Sequence, residues 1–138
     1  DNIKKVATQN IGSAHLHMLG AVPNSEMPDI YRGSNVAVLP SVMEATSIAG
    51  LEAMACGLPL IASRVGGLPY IVDEGITGLL VESGSPQELG AAIKTLYIDH
   101  ARTKMMGEKS RQRAVEIFSW EKVALKTIDI YRNLLAAH

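Results

Sequence analysis

Three short apolar runs set the architecture open to this chain: Val36-Ala37-Val38-Leu39, Leu60-Ile61-Ala62 and Gly78-Leu79-Leu80-Val81, each followed by a turn signal and a stretch of helical character. The first run does not alternate with polar residues and is closed by Pro40-Ser41, the pattern of a strand covered on both faces, as in parallel sheets. Between the runs, a helix is expected from about Ser47 to Cys56. Gly57 is placed to end it in the left-handed conformation, and Pro59 bars its continuation. Gly66-Gly67 opens another short helix, and Asp73-Glu74-Gly75 makes a turn. Ser85-Pro86 supplies a cap and a first-turn proline for a helix reaching about Ile98. A helix over His100 to Phe118 follows, and Ser119 caps a last one whose Trp120, Val123, Ala124, Thr127, Tyr131, Leu134 and Leu135 fall at three- and four-residue steps. Upstream, Asp1 to Gly12 reads as the end of a helix, His15 to Leu19 as a strand, and Met27, Ile30 and Tyr31 as one face of a short helix. Strands alternating with helices predict an α/β fold with a doubly wound parallel sheet and helices at the carboxyl end.

With 138 residues, the chain is one domain or part of one. Thirteen Lys and Arg against fourteen Asp and Glu leave a net charge of -1, so no positive field gathers nucleic acid. The composition is 47% hydrophobic and 20% charged, which is globular, and no apolar run approaches the length of a membrane span. Cys56 is the single cysteine and has no internal partner, so the expected setting is reducing and cytoplasmic.

The stretch from Pro40 to Gly57 passes from the carboxyl end of a strand into a helix, where ligands bind in open α/β sheets. Its turn contains two small hydroxyl residues and Ala45, so an anion can approach the free amides around Ser47 to Ala49 and the positive end of the helix dipole. Phosphate fits that description. Glu44 lies before the helix and Glu52 within it, eight residues and roughly 12 Å apart at helical rise. Carboxylates touching phosphates would repel them, so the two are expected to accept hydrogen bonds from neutral hydroxyls at either end of a ligand, as sugars offer.

At these residues the sequence resembles the retaining nucleotide-sugar glycosyltransferases of family 4, which have the GT-B fold. The likeness rests on Glu44 and Glu52 in a Glu-x7-Glu motif, with Leu39-Pro40-Ser41 before it and Leu51-Glu52-Ala53-Met54-Ala55-Cys56-Gly57-Leu58-Pro59 after it. It continues through Val65-Gly66-Gly67-Leu68-Pro69, Gly75-x-Thr77-Gly78-Leu79-Leu80-Val81 and Phe118-Ser119-Trp120. The resemblance implies that residues 1–138 form a Rossmann-like, donor-binding carboxyl-terminal domain without its first strand and helix units. It implies a UDP- or GDP-sugar as donor and a hydroxyl acceptor, a sugar or a lipid-linked one, held by an amino-terminal domain. Glu44 would be catalytic, contacting the transferred sugar, and Glu52 would hold the ribose. The backbone of Thr46 and Ser47 would meet sugar hydroxyls, that of Ile48 and Ala49 the phosphates, and the Gly20 to Val22 loop the nucleobase. No cofactor and no metal is expected, since no Asp-x-Asp motif is present. The full-length protein would be cytoplasmic or peripheral to the membrane.

Two departures stand out. Tyr70 occupies the place after Gly-Gly-x-Pro where the family usually has Glu, and the family's glycine-rich turn with its basic pair has no counterpart here. Missing strands would leave a gap between His15–Leu19 and Val36–Leu39, which predicts either that these two pair directly or that an oligomer fills it. The alternative function is a non-catalytic nucleotide-sugar binding or scaffolding fragment. Among the remaining residues, His15 and His17 read as structural, Cys56 as unreactive and Trp120 as packing.

Overall fold

The computed structural model describes Lys5, Val6, Gln9 and residues 15–136. The chain runs α1 (Met27–Arg32), β1 (Ala37–Leu39), α2 (Ile48–Ala55), β2 (Leu60–Ser63), α3 (Leu68–Ile71), β3 (Gly78–Val81), α4 (Pro86–Ile98), α5 (His100–Phe118) and α6 (Trp120–Ala136). The three strands form a parallel sheet in the order β1-β2-β3, with Val38 level with Ile61 and Ile61 level with Leu79.

Parallel neighbours need crossovers, and the crossover helices cover the sheet. All four residues of β2 are buried. Leu60 and Ala62 join Met54, Leu68, Ile71 and Ala114 in one apolar cluster, while Ile61 joins Val81, Ala92, Leu96 and Met106 in the other. Alternate side chains of a strand point to opposite faces, so β2 is the element that ties both layers together.

Helix boundaries follow local chemistry. Ser47, Ser85 and Ser119 each accept a hydrogen bond on the side-chain oxygen from the amide three residues on, at 3.1, 3.4 and 3.4 Å. Gly57, just past α2, has φ +89, the left-handed conformation that a glycine stop supplies. Helix ends leave carbonyls without intrahelical donors, and arginines of α5 serve them. Arg111 Nη1 donates to the carbonyl of Ala55, and Arg113 donates from Nε to Ile71 O and from Nη2 to Tyr70 O, both at 3.0 Å. These contacts fasten α5 to the ends of α2 and α3.

Three expectations are corrected. His15 to Leu19 is not a strand: an extended segment becomes one only when its amides and carbonyls meet a neighbouring ladder, and no strand among the described residues pairs with it. Direct pairing with β1 therefore does not occur. β1 is not covered on both faces either, since it forms one edge of the sheet and Val38 is exposed. The apolar stripe of α6 packs on nothing that buries it, for no residue of that helix is buried, and Trp120 is 84% exposed. Lys5, Val6 and Gln9 are helical, as the opening segment predicts; the stop at Gly12 lies outside the described residues. No helix among the described residues is long and apolar enough to cross a membrane.

Candidate functional site

The carboxyl ends of the strands open on the loop between β1 and α2, which carries Glu44, and on the first turn of α2. Ser47 is buried and its hydroxyl is spent on capping, accepting from Gly50 N, while its carbonyl accepts from Leu51 N at 3.0 Å. The amides of Ile48 and Ala49 precede the first available helix carbonyl, so they face outward at the positive end of the dipole. Both residues are exposed, and the first turn carries no acidic residue to occupy that charge. Thr46 is exposed beside them.

The Glu44 loop is held in place by backbone contact with the turn ahead of α3. Gly67 N donates to Glu44 O at 3.2 Å. A Cβ on Gly66, whose φ is +51, would stand 1.6 Å from that same oxygen, and one on Gly67 would stand 2.0 Å from Ala45 O. The glycine pair is therefore a close-approach device for the loop that carries the first carboxylate. Ser83, beyond β3, donates from Oγ to Ser41 O at 3.2 Å and tethers the loop's other end.

Glu52 sits one full turn into α2 and is half-buried, as is Glu44. With Thr46, Ile48, Phe118 and Trp120 it lines a cavity of about 450 Å³ between α2 and the junction of α5 with α6. Glu44 is not part of that lining. Ala49 faces a second cavity of about 200 Å³, shared with Tyr31, Gly50 and Ala53. Gly20, at φ +67, and Val22 lie in the segment leading to α1. Thr46, Ile48 and Glu52 thus share one cavity, and Ala49 belongs to another.

Sequence reasoning missed three participants. The Tyr31 hydroxyl is pushed above its ordinary pKa, first by burial and then by the charges of Glu52 and Cys56. Its one sequence signal is the α2 stripe of Ala49, Glu52, Ala53 and Cys56. Ser83, the tether, has no such signal. Arg64 directly follows β2 and is bound to Glu74 at 2.9 Å and Glu82 at 3.3 Å. The hydrogen bond and charge of Glu74 raise its pKa, so this cation is committed to carboxylates. Tyr70 stacks edge-on against Phe118 at 5.6 Å, with the Arg113 guanidinium 5.7 Å from the same ring. In place of a carboxylate, the chain has a packing aromatic there. His15 and His17 are exposed, and no group of three or more His, Cys, Asp or Glu among the described residues could hold a metal.

Residues 1–113 match the family model described as glycosyl transferases group 1. The alpha-maltose-1-phosphate synthase of Mycobacterium tuberculosis (strain ATCC 25618 / H37Rv) is 40% identical over 117 residues, which cover 80% of this chain and 30% of that protein. The sucrose-phosphate synthase of Thermosynechococcus elongatus superimposes with a TM-score of 0.89 at 34% identity, over 99% of this chain and 34% of that one. Anabaena HepE in complex with UDP-glucose shares the fold, with a TM-score of 0.86 at 22% identity over 96% of this chain and 36% of that one. The chain spans about a third of the length of these proteins, and its parallel sheet and carboxyl-terminal helices match their Rossmann-like GT-B carboxyl-terminal domain. With the family model covering most of its residues, this chain belongs to the group 1 glycosyl transferases.

Proposed function

We propose that residues 1–138 are the donor-binding domain of a glycosyltransferase that moves a sugar from a nucleoside diphosphate sugar to a hydroxyl acceptor with retention at the anomeric carbon. The observation that carries this reading is the amino end of α2. Two outward amides and an unopposed dipole lie at the carboxyl edge of a parallel sheet, with Glu44 on the loop before them and Glu52 on the helix after them. The amides of Ile48 and Ala49 meet the diphosphate. The backbone of Thr46 and Ser47 meets the sugar hydroxyls, Glu44 the transferred sugar, Glu52 the ribose, and Gly20 to Val22 the base.

Transfer breaks the bond from the anomeric carbon to the diphosphate oxygen, forms one to the acceptor oxygen on the same face, and passes the acceptor's hydroxyl proton to the departing diphosphate. Negative charge grows on the leaving phosphate, where fixed dipoles stabilise it without reorganising. The acceptor is held by a separate domain, and the full protein works in the cytoplasm or at the membrane surface. The relatives' names as sugar-phosphate synthases support glycosyl transfer, and the UDP-glucose complex of a fold neighbour supports this donor class.

The test is calorimetry on the full protein with UDP-glucose, UDP-N-acetylglucosamine and GDP-mannose. One donor is expected to bind, and Glu52→Gln, which keeps shape but weakens the acceptor, should cost roughly 1 to 3 kcal/mol of that binding. Unchanged affinity in this variant would remove the role given to Glu52.

A further inference from the structure

A third cavity, of about 210 Å³, opens at the carboxyl edge of the sheet and shares no lining residue with the two described above. Pro40 and Val42 wall it from the loop after β1, and Glu82 and Gly84 from the turn after β3, so the hydrogen bond from Ser83 Oγ to Ser41 O joins the two segments that enclose it. Ser63, the last residue of the central strand, lines it between them. Side chains two apart on a strand share a face, so Ser63 points with Ile61 toward α4, whose Ala92 and Leu96 pack on Ile61. Ser63 is only 2% exposed, yet no hydrogen bond among the described residues uses its hydroxyl. A hydroxyl withdrawn from water without a protein partner is one that an incoming group can pair.

The walls select the charge of that group. The Glu82 carboxylate is held by Arg64 Nε at 3.3 Å, and the Glu88 carboxylate, in the first turn of α4, accepts from Glu82 N at 2.9 Å, so the positive end of α4 already faces an anion. An incoming anion meets two carboxylates, and an incoming cation competes with Arg64. A wholly apolar guest leaves Ser63 unpaired. What fits is neutral and carries hydroxyls for Ser63 and for Ser85, whose oxygen accepts from Glu88 N and whose proton is left to donate. It also has an apolar face for Pro40, Pro86 and Leu89. The volume lies below the roughly 300 to 1,000 Å³ of sites for drug-sized ligands, which limits the guest to a single ring. We propose that this cavity binds one neutral sugar ring, at a site separate from that of Glu44 and Glu52. An occupant there lies against the Ser83–Ser41 tether and hence borders the loop that carries Glu44. The proposal goes beyond the donor role and does not depend on it.

The experiment is a saturation-transfer NMR titration of the full protein with D-glucose. Glucose should bind, and D-mannitol, which has the hydroxyls without the preformed ring, should bind at least about fivefold more weakly. Equal binding of the two overturns the ring. Ser63→Ala should weaken glucose binding about five- to tenfold while the melting temperature stays within about 2 °C, because a hydroxyl with no protein partner adds nothing to the fold. Undiminished glucose binding in this variant overturns the proposal, whether the melting temperature falls, which makes Ser63 structural, or holds, which leaves the cavity to water. Glu44→Gln should leave glucose binding unchanged. A matching loss there places the glucose in the donor site and removes the second one. Failure of every nucleotide sugar to bind in calorimetry overturns the donor reading and leaves this proposal standing. Two sources offer such a ring, an acceptor and a free sugar: incorporation of labelled glucose into product in the presence of UDP-glucose assigns the first, and binding without incorporation assigns the second.

Discussion

Gly67 donates its amide hydrogen to the carbonyl oxygen of Glu44 at 3.2 Å, and this one bond joins two segments more than twenty residues apart in the chain. It is possible only because Gly66 and Gly67 have no Cβ: side-chain carbons there would stand 1.6 and 2.0 Å from the carbonyl oxygens of Glu44 and Ala45. Backbone against backbone leaves no flexible atom to yield, so the glycine pair sets where the loop with the first carboxylate can lie.

Gly66→Ala is therefore expected to be severely destabilising. The substitution meets a clash at 1.6 Å and a φ of +51 at once, and either alone is a recognised route to a large loss. Urea denaturation should show a loss of at least about 3 kcal/mol, with donor binding lost in whatever fraction still folds. A variant within 1 kcal/mol of the parent would mean the loop is free to move away from α3.

Arg113→Ala should loosen α5. The change removes the donors to Ile71 O and Tyr70 O and the cation from the Phe118 ring, and leaves α3 with an uncapped end. A loss of about 1 to 3 kcal/mol is expected by denaturant unfolding. Lysine at the same position should recover only part of it, because one ammonium cannot reproduce a planar fork reaching two carbonyls.

Donor binding and turnover by the full protein should survive excess EDTA. The reasoning is that helix amides and the α2 dipole offset the diphosphate charge, and the chain has no Asp-x-Asp pair to bridge a divalent ion. Activity that vanished with chelator and returned with manganese would overturn this account of charge compensation.

Self-association is the expected behaviour of the 138-residue chain by itself. β1 has β2 on one side and no described strand on the other, and α6 presents Ile128, Ile130, Leu134 and Leu135 exposed. Open ladder groups and bare apolar faces draw other chains. Light scattering should report a dimer or larger species; a monodisperse monomer would show that the edge and the helix face tolerate water.

How much of this was legible in the sequence follows from how far each determinant reaches along the chain. The caps at Ser47, Ser85 and Ser119 act over three residues, the stop at Gly57 acts on its own backbone, and the runs Leu60–Ala62 and Gly78–Val81 carry their burial in their own composition. These features, the alternation of strand and helix, and the motif linking Glu44 to Glu52 could be read residue by residue. Whether an extended segment becomes a strand depends on what lies beside it, which no local pattern states. Thus His15–Leu19 is not a strand, and β1 became an edge with Val38 exposed. The same holds at the site. That Gly66-Gly67 braces Glu44, that Ser83 tethers the loop at Ser41, and that Tyr70 turns to Phe118 instead of serving as a carboxylate would are contacts between segments brought together by the sheet. Short-range hydrogen bonds and hydrophobic pattern specified the elements; contact between distant segments, set by packing on β2, decided which side chains share a surface.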